Sequence, residues 1–421
     1  MNILIISAQP PSPYSGGEIR LLNLVKNLSR KHQFTVIAPI RKGQPVQWDV
    51  LRQYCKFVPV WLSESIPPRS RLYYRINGWR QALFDSKPRL VNEFSSPLIK
   101  ESLSEELANN SFDLIQIQEL LMVQYLPVKF NGHTVLDVEN LWTRLLLRDE
   151  IAKQLIDGKS KTRITHVLHN RIDHKKIARY EKRALKKFDA CLAISIQEEQ
   201  TIRKTAPKVK TAIIPNGVDC QIFSPQPAPE NTYPSLLFTG TMDWGPNADG
   251  AVYFAKTIFP RILQKKPQAI FQIVGRKPNS EVLALANLSR ISVTGFVEDV
   301  RPYMTECSIF VVPLRAGSGT RLKILEAMAM GKAIVTTSIG CEGLLVENRK
   351  HLIIADTPQD FADDVLEILD RPELARKLGE NGRQLVETQY DWRLISKRLE
   401  YLYQHLATNG SKKQFYSEEP S

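Results

Sequence analysis

The sequence predicts an α/β protein of two domains, each an open, mostly parallel sheet wound on both faces by helices. Three observations carry this. Short apolar runs alternate with amphipathic stretches along most of the chain, the pattern of parallel sheets covered on both sides. The alternation comes in two series, separated near residues 213–219. And 421 residues exceed what one hydrophobic core organises.

The first series opens with an apolar strand at 2–8 and a Pro/Gly/Ser loop at 9–17. A helix at 18–30 follows, with Leu21, Leu22, Leu24, Val25 and Leu28 on one face. Strands are predicted at 34–40, 56–61, 114–118, 134–138 and 190–195, and a long charged helix at 163–187. The second series follows a polar, Pro-rich segment at 224–234, expected to be the interdomain linker. Its strands are predicted at 236–239, 269–274, 291–294, 308–313 and 333–337. Helices close the chain at 358–369, 371–389 and 392–407, and the polar tail 408–421 is expected to be disordered.

Composition narrows the function classes. Hydrophobic residues at 43% and charged residues at 24% are ordinary for a globular protein. The five cysteines (Cys55, Cys191, Cys220, Cys307, Cys341) show neither C-x-x-C nor metal-ligand spacing, which argues against a disulfide scaffold or a zinc site. No run approaches the ~20 apolar residues of a membrane span, and the N-terminus lacks the basic start and long apolar stretch of a signal peptide. A cytoplasmic protein is expected. The net charge of +13 gathers at 69–89 and at 171–187, where eight Lys/Arg face two carboxylates. An anionic membrane surface and a plain solvated face both fit that helix. No nucleic-acid partner is expected, because stacking aromatics and recognition motifs are missing.

The most informative segment runs from Ala316 to Ala329. After an apolar strand, Gly317-Ser318-Gly319-Thr320-Arg321 leads into a helix that Gly331 can end. Such a loop turns free backbone N–H groups toward an anion. Glu326, further along the helix, offers a carboxylate to hydroxyls. Phosphate plus hydroxyls points to a nucleotide-sugar site. Gly16-Gly17, between the first strand and first helix, would let a diphosphate approach the backbone, although a plain loop pair reads the same way. Gly275-Arg276-Lys277 follows the strand at 269–274 and would neutralise a leaving diphosphate, or form a solvated pair. Phe296 and Val297, after Gly295, could lie beside a base. Arg321 and Lys323 add cations.

In order and spacing these elements resemble the retaining glycosyltransferases of family 4. The matching stretches are Gly16-Gly17, Glu181, Phe188-Asp189-Ala190, Ile194-Ser195, Pro215-Asn216-Gly217-Val218-Asp219 and Phe238-Thr239-Gly240. They continue with Val274-Gly275, Gly295-Phe296, the block from Leu325 to Gly331, and Tyr390-Asp391-Trp392. The stretches 239–244 and 317–323 are similar to a subgroup associated with polysaccharide assembly. The resemblance implies the GT-B fold: two Rossmann-like domains facing across a cleft, with an acceptor domain at 1–210 and a donor domain at 211–391. It also implies that the helix at 392–407 returns to the first domain. The implied partners are a nucleotide-diphosphate sugar donor and a glycan or lipid-linked acceptor, with no cofactor and no metal.

The resemblance assigns donor contacts to Gly16, Gly17, Asn216, Thr241, Phe296, Val297, Ser318, Gly319, Thr320, Arg321, Leu322, Lys323 and Glu326. Glu326 matches the family's ribose-holding Glu. The other Glu of that pair is replaced by Ser318, and the family's phosphate-binding Arg and Lys are absent around Thr241. Arg276, Lys277, Arg321 or Lys323 would then supply that charge. Glu139 is the candidate for the place of a family histidine, and His133 reads as structural. Catalytic roles accordingly fall to Glu139, Arg276, Lys277 and Glu326. An epimerase of the same fold and a catalytically silent sugar-nucleotide binder are the rival readings.

Overall fold

A computed structural model of the chain describes residues 1–13, 16–42, 46–62, 85, 87–145, 164–227, 233–317, 319 and 321–408. Most of the first basic run, Ser318, Thr320 and the tail beyond Thr408 lie outside the described residues. The chain divides into two compact units: Met1–Pro215 together with Ser396–Ser421, and Asn216–Ile395. The division falls at Pro215, upstream of the Pro-rich segment 224–234. It falls again inside the last helix.

The first unit holds seven parallel strands in the order β3-β2-β1-β4-β5-β6-β7. They are β1 (Asn2–Ile6), β2 (Gln33–Arg41), β3 (Lys56–Leu62), β4 (Leu114–Gln118), β5 (His133–Val138), β6 (Ala190–Ala193) and β7 (Lys210–Ile213). Central strands are buried on both faces, so they read as unbroken apolar runs such as Ile3-Leu4-Ile5-Ile6, except β4, which buries Gln116 and Gln118. β7 was not legible in the sequence: its four residues are only half-buried at the sheet's edge. Helix α1 (Gly16–Leu28) buries Leu21, Leu24, Val25 and Leu28, and also Arg20. Helix α2 (Ile164–Leu185) buries Ile177, Ala184 and Leu185 and leaves Lys175, Arg179, Lys182 and Arg183 exposed.

The second unit has six parallel strands in the order β10-β9-β8-β11-β12-β13. They are β8 (Ser235–Thr239), β9 (Ile270–Val274), β10 (Ile291–Val293), β11 (Ile309–Val312), β12 (Ile334–Thr336) and β13 (Ile353–Ile354). β13, two residues long at the edge, is too short to leave a periodic signal. Helix α3 (Gly245–Tyr253) follows β8, and α4 (Leu322–Ala329) follows β11. α4 stops at Gly331, whose φ of +68° is the left-handed turn that glycine adopts without strain. A single apolar cluster, including Phe238, Phe254, Phe271 and Phe310, fills the unit.

The last helix, α5 (Trp392–Thr408), buries Leu399, Leu402, Tyr403 and Leu406, the spacing of one helical face. In the first unit, Lys31 Nζ meets Glu400 Oε1 at 2.8 Å, and the Tyr403 hydroxyl donates to Gln116 Oε1. Among the described residues, no helix is long and apolar enough to cross a membrane. All five cysteines are buried, unpaired thiols.

Candidate functional site

In an open parallel sheet, ligands bind outside the carboxyl ends of the strands where the winding direction reverses. In the first unit that reversal lies between β1 and β4. The segment after β1 leads to Gly16-Gly17 and α1; β4 leads directly to Glu119, and neighbouring β5 to Glu139. Gly17 stands so close to Glu139 that a Cβ there would lie 2.6 Å from Oε2, so only glycine lets the carboxylate approach the start of α1.

Beneath this edge lies a polar network closed to water. Arg20 donates through Nε and NH2 to the two oxygens of Asp137, at 2.9 and 3.0 Å, and both side chains are fully buried. Its NH1 donates to the Pro215 carbonyl at 3.0 Å. Two buried glutamines of β4, sharing one face by strand alternation, extend the network. Gln116 Nε2 donates to Gln118 Oε1 at 3.3 Å; Gln118 Nε2 donates to Asp137 Oδ2 at 3.2 Å and Glu139 Oε1 at 2.6 Å. Burial and then the Asp137 charge push the Glu139 carboxyl up, against the opposing pull of Arg20 and Gln118. Glu119 is raised in the same way, by burial and then by Glu139 and Asp137. Glu139 can therefore hold a proton near neutral pH.

In the second unit the winding reverses between β8 and β11. The loop after β8 begins at Gly240, and the loop after β9 at Gly275. A Cβ on Gly275 would lie 1.7 Å from the Gly240 carbonyl oxygen, so the loops touch through bare backbone. Met242 N donates to the Arg276 carbonyl at 2.8 Å, and Arg276 Nε to Thr241 Oγ1 at 3.3 Å. Lys323 reaches from α4 across the switch point. Its Nζ donates to Asn247 Oδ1 at 2.8 Å and lies 4.2 Å from the centroid of the Phe238 ring. Asn247, itself buried, donates through Nδ2 to the Thr241 carbonyl at 3.0 Å. Arg321 is buried with its guanidinium 5.5 Å from the Trp244 ring centroid.

Glu326 lies one helical turn beyond Lys323. Its carboxylate makes no hydrogen bond among the described residues, although a carboxylate taken from water normally finds donors. Burial raises its pKa to about 7, opposed by Lys323, while burial and then Arg321 lower that of Lys323 to about 7.

The structure thus gathers Thr241, Arg276, Arg321, Lys323 and Glu326 at one edge of the second unit. Gly319 lies in the loop leading to α4, with φ +81°. Leu322 turns its side chain to the core, leaving backbone for a ligand, and Val297 also packs on the core. Phe296 is 64% exposed. Lys277 points to water and pairs with Asp243 at 3.6 Å, both exposed, an arrangement of little energetic weight. Asn216 is buried in the strap after β7, beside the bridge from Val218 to Asp391. The sequence reading missed Glu119, Asn247 and Trp244. Neither Glu119 nor Asn247 left a signal in the sequence.

Residues 233–371 match the model of one protein family, Glycosyl transferases group 1. That stretch of the second unit is similar to this group. The chain is 26% identical over 218 residues to the phosphatidyl-myo-inositol mannosyltransferase of Mycobacterium tuberculosis, covering 48% of this chain and 56% of that one. It is 23% identical over 346 residues to a putative glycosyltransferase of Bacillus subtilis, covering 74% and 77%. An uncharacterized glycosyltransferase of Methanocaldococcus jannaschii shares 30% over 125 residues, 29% of this chain and 35% of that one. The chain thus spans 35% and 56% of the lengths of the Methanocaldococcus and Mycobacterium relatives. Among solved structures, sucrose-phosphate synthase from Thermosynechococcus elongatus superposes with a TM-score of 0.71 at 20% identity, over 97% of this chain and 99% of that one. Anabaena HepE in complex with UDP and glucose gives 0.64 at 14% identity, over 95% and 99%. The fold is GT-B, two Rossmann-like parallel-sheet domains.

Proposed function

We propose that this protein is a retaining, metal-independent glycosyltransferase of polysaccharide assembly. It moves a sugar from a nucleotide-diphosphate sugar to a glycan or lipid-linked acceptor. One observation carries the reading: at the switch point of the second unit, inside the matched stretch, Glu326 keeps a carboxylate that makes no hydrogen bond among the described residues, on the same helix start as the cations Lys323 and Arg321. That combination suits a nucleotide, whose ribose hydroxyls would donate to Glu326 while its diphosphate takes the charge of Lys323, Arg321 and Arg276. The name of the Anabaena neighbour's complex, with UDP and glucose, supports the same ligand class.

In this mechanism the bond between the anomeric carbon and the diphosphate oxygen breaks, and the electron pair leaves with the diphosphate. Buried cations and the amino end of α4 stabilise that growing charge. The acceptor hydroxyl attacks the same face of the sugar, and its proton passes to the departing phosphate oxygen. The first unit takes the acceptor, with Gly16, Gly17 and Glu139 at its edge, and the exposed basic face of α2 rests on an anionic membrane. Positioning and electrostatics supply most of the acceleration.

The test is purified protein assayed against UDP-, GDP- and ADP-sugars with a lipid-linked glycan fraction. Transfer with retained anomeric configuration, abolished in Glu326→Ala, is the expected result. Interconversion of the sugar without transfer would identify an epimerase; binding without turnover would identify a silent partner.

A further inference from the structure

Glu119 has backbone angles of φ +70° and ψ 148°, a region that side chains other than glycine's rarely enter. Its backbone is well held: its N–H donates to the Asp137 carbonyl at 3.0 Å, and its carbonyl accepts from Met122 N at 3.2 Å. Its side chain repays none of this strain, since the carboxylate makes no hydrogen bond among the described residues. Glycine would fit the same turn at no steric cost, so the fold alone gives no reason for a glutamate. The residue is partly exposed and stands directly after β4, at the reversal of the sheet and beside the end of β5.

We infer that Glu119 is a substrate-contacting carboxylate that holds a sugar hydroxyl at the carboxyl edge of the first sheet. The chemistry fits the site. Glu119 follows β4 where Glu139 follows the neighbouring β5, its N–H is on the Asp137 carbonyl, and Arg20 of α1 is already committed to the Asp137 carboxylate. Two carboxyls at one sheet edge, of which one carries a proton, can donate to a hydroxyl oxygen and accept its hydrogen at once. A lone carboxylate can only accept. The raised affinity of both groups for protons agrees with this geometry. The hydroxyl belongs either to the donor's sugar or to the acceptor; the inference rests on the transferase reading above.

The experiment compares wild type, Glu119→Gln and Glu119→Gly. Without ligand, Glu119→Gly relieves the backbone and should melt about 2 °C higher. Titrations use UDP-glucose, UDP-N-acetylglucosamine, GDP-mannose and ADP-glucose beside UDP, GDP and ADP. If the hydroxyl is the donor's, both variants lose tenfold or more in affinity for the bound nucleotide sugar and nothing for its nucleoside diphosphate. If it is the acceptor's, donor affinity holds while acceptor KM rises tenfold or more. Either result supports the inference. A lower melting temperature for Glu119→Gly, or unchanged donor affinity together with unchanged transfer, overturns it. A wild-type protein that binds none of these nucleotides removes the transferase reading, and the inference with it.

Discussion

Replacing Lys323 by methionine should move stability and donor affinity in opposite directions. The ammonium is buried between Asn247 and Phe238, and its pKa falls from 10.5 to about 7. At about 1.4 kcal/mol per tenfold in protonation, holding the charge there costs roughly 4 kcal/mol at pH 7, an upper bound because water reaches part of the site. Methionine removes that cost. It also leaves Asn247 Oδ1 without its donor, a loss of about 1–2 kcal/mol. The ligand-free second unit should therefore gain about 1–2 kcal/mol, a rise of about 4 °C in melting temperature.

Donor binding should weaken about 10- to 100-fold, the worth of one charge-assisted hydrogen bond to phosphate. The sign with pH is also fixed. Between pH 7 and 10.5 the unfolded chain holds the Lys323 proton and the folded chain does not, so wild-type stability should rise with pH across that window. Lys323→Met should lose the rise. Calorimetry from pH 6 to 9.5, with UDP, GDP and ADP titrations at pH 6.5, reads both effects. Undiminished nucleotide affinity, or a variant that melts lower than wild type, would refute the reasoning.

Glu326→Ala should weaken nucleoside diphosphates at least tenfold while leaving inhibition by inorganic pyrophosphate unchanged, since only the nucleotide carries a ribose; competition assays separate the two. Gly275→Ala should destabilise the second unit by at least about 3 kcal/mol, because its Cβ would meet the Gly240 carbonyl oxygen at 1.7 Å; a urea midpoint measures this. Asp137→Asn should cost about 3–5 kcal/mol by stranding the buried Arg20 charge, whereas Asp137→Leu combined with Arg20→Met should recover much of the loss in chemical denaturation. Changing Lys182, Arg183, Lys186 and Lys187 to Gln should abolish co-sedimentation with anionic vesicles, at about 1 kcal/mol for each charge, and leave neutral vesicles unaffected.

The parallel sheets could be read from the chain because strands buried on both faces must be uniformly apolar: Ile3-Leu4-Ile5-Ile6 and Ile309-Phe310-Val311-Val312 admit few other placements. The edge strand β7 escaped because its residues are only half-buried, and β13 because two residues are too short to make such a run. Glu326 was legible through its local block, all within one helix. The clasp of Lys323 on Asn247 was not, since its partners lie 76 positions apart and a lysine three residues before a glutamate looks like any exposed helical pair. Glu119 hid for another reason: its distinction is a backbone angle, and no residue type other than glycine announces one.

The first unit is assembled from two separate stretches of chain, while the second is one uninterrupted stretch, Asn216–Ile395. A ribosome therefore delivers everything the second unit needs before it makes the later piece of the first. Until Ser396 and the residues beyond it emerge, the first sheet waits with Gln116 unmet by the Tyr403 hydroxyl and the seat of Leu399 and Leu402 open to water. Late completion makes α5 a checkpoint for the nascent protein, and a premature stop codon near residue 395 should be as ruinous as one near the middle.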